Sequence, residues 1–427
     1  MSALARRACH GLLGRLTEGR LEVAEEFAGG VRRAFGPQDA ELVAAVTVRS
    51  PELYRRLLRD RSVGLAEAYG DGLWEANDVV AVLRIGAREL TRRDGARRRL
   101  APLARPVQRL ARRRLANTRA NARRNIAAHY DLGNELFETF LDREWMLYSC
   151  ALYEREDATL EQAQAAKLER IAARLELAPD DHLLEIGSGW GGLAVWMAAR
   201  RGCRVTTTTI SREQRDYAEA RVRAAGLEAR VTVLGADYRD LTGSYDKLVS
   251  VEMIEAVGWE YFETYFERCS ALLGPRGLFL CQAICADDRS YEAEKASRTF
   301  ASELIFPGGA LPSPAVIAAA IARRTDLRAV WLEDTSPSYA LTLAEWRRRF
   351  LAAAPRLGEL GYDERFRRIW EIWLAASEAG FRESRINDVQ ILLAKPGWRD
   401  RIPVAPAAEP REALADTADE FGASGRS

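Results

Sequence analysis

Apolar positions change period along the chain. Across 17–90 they recur at helical spacing, through Leu53, Leu57 and Leu58 and again through Val79, Val80, Val82 and Leu83. That period marks one face of a helix. Gly64, Gly70 and Gly72 punctuate the segment. The pattern predicts a small, mostly helical N-terminal domain over residues 1–90. From 181 onward, short β-branched runs alternate with helical stretches. LLEIG (183–187), RVTTTTI (204–210), VTVLGAD (231–237), a part of YDKLVSVEMIEAV (245–257) and GLFLCQAIC (277–285) read as strands. GLAVWMAARRG (192–202) and SREQRDYAEARVRAAG (211–226) read as helices, the second capped by Ser211 and closed by Gly226. This alternation predicts an α/β fold on a parallel sheet. Residues 313–390 are helix-rich around Trp346, Phe350, Trp370 and Trp373. The stretch 400–427, rich in Pro, Ala and acids without a periodic face, reads as a disordered tail.

With 427 residues, 48% hydrophobic and 29% charged, the chain is long enough for two domains with sizeable cores. A disordered chain, a disulfide miniprotein and a fibrous repeat are excluded. Net charge is only +1, yet the charge is unevenly placed. Residues 91–125 hold thirteen arginines and one acid, Asp94, a local sum of +12 that leaves −11 elsewhere. The block reads as an Arg-rich linker that prefers an anionic surface. Leu100, Leu103, Val107, Leu110 and Leu115 at roughly helical spacing suit an anionic lipid surface. The block lacks interleaved aromatics for base stacking, so nucleic acid is not the expected partner. Six cysteines without a CxxC pair and three histidines argue against a structural zinc site. The scattered cysteines suggest a reducing compartment. No signal-length or membrane-spanning apolar run is present. The expected location is therefore cytoplasmic, peripheral at the inner face of the membrane.

Glu185-Ile-Gly187-Ser-Gly189-Trp-Gly191-Gly192 follows a strand and opens a helix. Glycines there permit a tight turn and let a ligand approach the backbone. A dinucleotide site wants an acid at the end of the second strand, where this chain has Thr207-Thr208-Thr209-Ile210. Glu185, two residues before the first glycine, suits the ammonium of S-adenosylmethionine. That cofactor is the preferred reading.

Together these segments resemble a known family. GLAEAYGDGLWE (64–75), NIAAHYDLGNELFETFLD (125–142), MLYSCALY (146–153), LLEIGSGWGG (183–192), TISREQ (209–214), SVEMIEAVG (250–258), IFPGG with LPS (305–313) and SYALTL (338–343) are similar to motifs of the cyclopropane-fatty-acyl-phospholipid synthases and their mycolic-acid relatives. The resemblance implies a Rossmann-like class I methyltransferase domain over 126–399. It implies transfer of a methylene group from S-adenosylmethionine to the cis double bond of an unsaturated phospholipid acyl chain, through a carbocation that loses a proton as the ring closes. A poor alkene nucleophile needs near-attack geometry, the cation needs shelter from water, and a base must take the proton.

In that family the base is a bound bicarbonate ion. The resemblance places Cys150, Glu255, Gln282, Ile284 and Tyr339 around it, with Cys150, Glu255, Gln282 and Tyr339 as the catalytic set. Gln282 stands where many members have histidine, and Ala256 replaces another; glutamine orients but cannot titrate. Glu252, three residues before Glu255, reads as belonging to the turn. His129 is either a structural histidine or part of the lipid entrance. For the cofactor, the resemblance points to Tyr148 and Ser149 beside the methionine and Gly187, Gly189 and Gly191 in the cradle. Thr209, Ile210 and Gln214 follow at ribose and adenine, then Asp237 and Tyr238 on the adenine side. A homodimer is compatible with it. Three alternatives stay open: methyl transfer to the same alkene with proton loss from a neighbouring carbon, giving a methylene branch; a small-molecule methyltransferase; and a lipid-binding protein without catalysis.

Overall fold

The computed structural model describes residues 2–112, 121, 132–155, 157–295 and 299–399. The expected tail at 400–427, His129 and part of the Arg-rich block lie outside them. The N-terminal part holds strands β1 (Arg20–Glu25), β2 (Val31–Phe35), β3 (Val43–Val48) and β4 (Trp74–Ala76), in the order β2-β1-β3-β4. Helices α1 (Ser2–Leu13), α2 (Glu52–Gly70) and α3 (Val79–Arg112) accompany them. The expectation of a mostly helical unit is thus corrected. Leu21 and Val23 in β1, and Ala44, Val46 and Val48 in β3, are buried alternately with more open neighbours. That is the period of a half-buried strand. These strands are short, and the stronger helical periodicity at 53–58 and 79–83 masks them. Helix α3 also runs without interruption past residue 90, into the Arg-rich block.

The second part begins with α4 (Asn134–Glu138) and α5 (Leu160–Arg174), then alternates. Its order is β5 (His182–Ile186), α6 (Gly192–Arg201), β6 (Arg204–Thr208), α7 (Arg212–Ala224), β7 (Val231–Leu234), β8 (Tyr245–Val251), α8 (Phe262–Leu272), β9 (Leu273–Ala286), α9 (Tyr291–Lys295), α10 (Pro314–Arg324), β10 (Arg328–Asp334), α11 (Ser336–Ala352), α12 (Ala354–Glu359), α13 (Glu364–Arg382) and β11 (Ile386–Ala394). The seven-stranded sheet runs β10-β11-β9-β8-β5-β6-β7. Strands β5 to β9 are parallel and match the runs predicted from sequence; β11 pairs antiparallel with both β9 and β10. Ser211 caps α7 as expected, its hydroxyl accepting from the Gln214 N–H. Among the described residues, no helix is long and apolar enough to cross a membrane.

The two parts share a core. Val48, Tyr54 and Trp74 of the N-terminal part pack in one cluster with Phe300, Ile305 and, from α13, Ile369, Ile372, Ala375 and Ala379. Trp370, Leu374 and Phe381 of the same helix belong to a second cluster, with Phe137, Cys150, Trp190 and Tyr339. Helix α13 is therefore buried on two faces. The strand order reverses between β5 and β8, where an open α/β sheet leaves a crevice at its carboxyl ends.

Candidate active site

A pocket of about 150 Å³ occupies that crevice. Its wall is built from the ends of β5 to β8, the strap 146–149 and Lys167 of α5. The glycine loop turns as its composition demands, with φ of 99° at Gly187, 48° at Gly189 and 82° at Gly191. The Gly187 and Ser188 N–H groups donate to the Thr208 carbonyl, fixing the loop to β6. Tyr148, Ser149, Gly187, Gly189, Thr209, Ile210, Gln214, Asp237 and Tyr238 all line the pocket. Gly191 does not; a Cβ there would lie 3.0 Å from the Ala218 side chain, so it serves the approach of α7. The Asp237 carboxylate is engaged by the Arg239 guanidinium at 2.6 and 2.9 Å.

Glu185 is 3% exposed, and its Oε2 has no hydrogen-bond partner. Burial pushes its carboxyl up to about 8. An unsatisfied acid on the wall of a glycine-lined pocket fits a ligand carrying an ammonium, as S-adenosylmethionine does. The strap opposite is held by Asp142, whose carboxylate accepts from the N–H groups of Trp145, Met146 and Leu147. Tyr148 on the strap sits among Phe137, Phe140 and Trp346, with ring centroids 5.3, 6.1 and 5.2 Å away. Its ring gives the pocket an aromatic side.

Three of the five residues expected around bicarbonate, Cys150, Gln282 and Tyr339, come together, but around a side chain. Glu252 Oε1 accepts from the Cys150 N–H at 2.7 Å and from Gln282 Nε2 at 2.9 Å; its Oε2 accepts from the Tyr339 hydroxyl at 2.5 Å. The donors assigned to the ion are thus spent on a carboxylate of the chain itself, and a bicarbonate ion does not fit that arrangement. Cys150 contributes its backbone; its thiol donates to the Ala151 carbonyl at 3.1 Å. Glu252 does sit in the turn after β8, and it also lines the pocket, whereas Cys150, Glu255, Gln282, Ile284 and Tyr339 are not on its wall. Glu255 is partly buried and accepts from the Ile284 N–H. Burial, then the Glu252 charge, pushes Glu255 up to about 8.

Glu252 reaches this position from a left-handed backbone, with φ of 50°. Such a conformation costs a non-glycine residue about 1–3 kcal/mol and is found where surrounding structure enforces it. Here the Glu252 N–H donates to the Gln282 carbonyl. Gln282 in turn is oriented by β11: Gln390 Nε2 donates to Gln282 Oε1 at 3.0 Å, while Gln282 Nε2 also donates to Asp388 Oδ2 at 3.0 Å. Thr335 donates to the same Asp388 oxygen at 2.6 Å. Sequence reasoning missed Asp388, Gln390 and Lys167, which carry no motif of their own. Burial pushes Glu252 above the usual carboxylate range, opposed by the Tyr339 hydrogen bond and the Lys167 charge. A carboxylate of raised basicity on a partly aromatic pocket is equipped to accept a proton.

Residues 117–391 match the family model for mycolic acid cyclopropane synthetase. The chain is 39% identical over 376 residues to the tuberculostearic acid methyltransferase UfaA1 of Mycobacterium tuberculosis, covering 85% of this chain and 86% of that protein. It is 36% identical over 357 residues to the cyclopropane-fatty-acyl-phospholipid synthase of Escherichia coli, covering 82% of this chain and 88% of that one. The solved structure of the mycolic acid cyclopropane synthase CmaA1 complexed with SAH and CTAB is similar with a TM-score of 0.60 at 27% identity, over 64% of this chain and 98% of that chain.

Proposed function

The chain belongs to the mycolic acid cyclopropane synthetase family of S-adenosylmethionine-dependent methyltransferases, and from that premise we propose that it adds a one-carbon unit to the cis double bond of an unsaturated phospholipid acyl chain, with Glu252 as the proton acceptor. The observation that carries this reading is the Glu252 carboxylate held by Cys150, Gln282 and Tyr339 on the pocket wall. S-adenosylmethionine supplies an electrophilic methyl group when bound. Glu185 and the glycine loop would hold it, with Thr209, Ile210 and Gln214 alongside. The strap and the Tyr148 ring exclude water from the charge that develops on the acyl chain. Glu252 then removes a proton from the transferred methyl group, and the released electron pair closes a cyclopropane ring.

A second reading has a specific support in the 39% relative, named a methyltransferase. If positive charge first moves to the methyl-bearing carbon, the same proton loss leaves a methylene branch. Both products gain CH2, so mass does not separate them. Proton NMR of the product lipid does: upfield ring protons establish cyclopropane, vinylic protons the methylene branch. No methyl consumption with unsaturated phospholipid vesicles sinks both.

Glu185 gives the cofactor site a pH signature. Its carboxyl, pushed up to about 8, is protonated at pH 7 in the free protein. Pairing with a ligand ammonium favours the ionised form, so S-adenosylmethionine binding releases a proton and tightens as pH rises from 6 to 8. Calorimetry in buffers of different ionisation enthalpy reads this proton. An identical proton count for Glu185→Gln contradicts the assignment.

The membrane partner is proposed from charge. The +12 block at 91–125 provides about 1 kcal/mol per arginine near an anionic surface. Replacing arginines 97–99 and 112–114 with serine is expected to weaken flotation with anionic vesicles at least tenfold at low salt. Unchanged binding returns the block to a plain linker.

A further inference from the structure

We propose that Lys167 is a positioning residue whose buried ammonium keeps Glu252 ionised and ready to take the substrate's proton. This rests on the reading of Glu252 as the base. Lys167 projects from α5 and is 1% exposed. It lines the same pocket as Glu252, and its Nζ donates to the Ser149 hydroxyl at 2.5 Å. Four other elements and Glu252's own turn supply the remaining groups that act on it. They are Cys150 just after the strap, Tyr339 from α11, Gln282 from β9, Asp388 from β11 and Glu255 from the turn. Among these, Lys167 alone is a cation. Arg239, also on the pocket wall, is engaged by Asp237.

Lys167 and Asp388 are fully buried, Glu252 and Glu255 partly so, and Lys167 faces the same pocket as Glu252. Like charges in a cluster so shielded from solvent do not all ionise, and the proton distribution belongs to the cluster. Glu252 holds three donors. Glu255 has the Ile284 N–H, with its Oε2 unpartnered. Asp388 has two donors on Oδ2, with Oδ1 unpartnered. The single charge that Lys167 can balance thus settles on Glu252, while Glu255 and Asp388 remain neutral acids. Burial pulls the Lys167 ammonium down, and the Glu252 charge does most to hold it up. Each partner thereby maintains the other's ionised form.

The test is the pH profile of kcat/KM, measured with full-length protein, labelled S-adenosylmethionine and unsaturated anionic vesicles. A base must be deprotonated to act, so the acid limb reports Glu252. Removing the neighbouring positive charge raises that limb. Lys167→Met and Lys167→Gln are expected to shift it upward by about one unit or more, lowering activity about tenfold per unit on the acid side of the limb, with recovery toward pH 9. Lys167→Gln retains an N–H donor without the charge, and Lys167→Arg is expected to return the limb toward its original position. A loss equal at every pH assigns Lys167 to packing alone and overturns the proposal. Independent of any variant, nitrogen NMR of the lysine side chain in the intact protein is expected to show an ammonium at pH 7; a neutral amine overturns it equally. Glu252→Gln run in parallel separates the two readings. Retained turnover there removes the base itself, whereas a dead Glu252→Gln with an unmoved limb in the lysine variants removes only the role of Lys167.

Discussion

Glu252→Gln is expected to lower turnover by about 10³-fold, within the range general bases contribute, while S-adenosylmethionine still binds. Glutamine matches glutamate in volume but takes up no proton. Its amide keeps one acceptor oxygen for the Cys150 and Gln282 donors but turns N–H groups toward the Tyr339 hydroxyl, which now donates. Labelled-methyl transfer to vesicles measures the loss, and calorimetry checks the cofactor. Glu255→Gln provides the contrast. Glu255, pushed up to about 8, is a neutral acid at pH 7, and an amide resembles it closely. Its loss is expected to stay within about tenfold, because no proton transfer passes through it. Wild-type turnover in degassed, bicarbonate-free buffer is expected to match turnover with bicarbonate added. Collapse of Glu255→Gln alone, or strict dependence on bicarbonate, returns proton removal to the ion.

Gly192→Ala is expected to destabilise the protein by about 3 kcal/mol and to weaken S-adenosylmethionine binding at the same time. A Cβ at Gly192 would lie 2.1 Å from the Trp145 carbonyl oxygen and 2.9 Å from its carbon. These are backbone atoms, so no rotamer change relieves the overlap. Either α6 withdraws from the sheet or the strap carrying Tyr148 and Ser149 moves outward. Thermal unfolding reads the first consequence and calorimetry the second. Gly86→Ala is the control: nothing lies within 4 Å of its Cβ, and alanine favours a helix by up to about 1 kcal/mol. A Gly192→Ala protein with native melting and affinity shows that the strap is not braced on this helix.

The parallel strands, the glycine loop and the Ser211 cap were legible because each is written in contiguous residues. So were Tyr148, Thr209 and Gln214, which belong to recognisable motifs. Glu252 was not. Its side chain enters the pocket through a φ of 50°, and nothing in a glutamate announces a left-handed backbone. Asp388 and Gln390 hid in INDVQILLA, a run buried on both faces without alternation. Their importance arises from cross-strand register, which pairs Gln390 with Gln282 and Asp388 with Ile284. Lys167 reads as one more charge on an amphipathic helix until α5 is placed against the pocket. The N-terminal strands were lost for a different reason, being too short to outweigh adjacent helical periodicity.

Helix α13 sets the order in which this chain can finish folding. Ile369, Ile372, Ala375 and Ala379 complete the core that Val48, Tyr54 and Trp74 begin. The beginning of the chain leaves the ribosome with an apolar face whose cover is translated roughly three hundred residues later. Contacts of such long range are slow to form and leave intermediates open to association. During synthesis the N-terminal part must therefore wait, shielded by chaperones or by its own provisional packing, until α13 emerges. Loss of the last described sixty residues would consequently strand the first ninety as well as the active site.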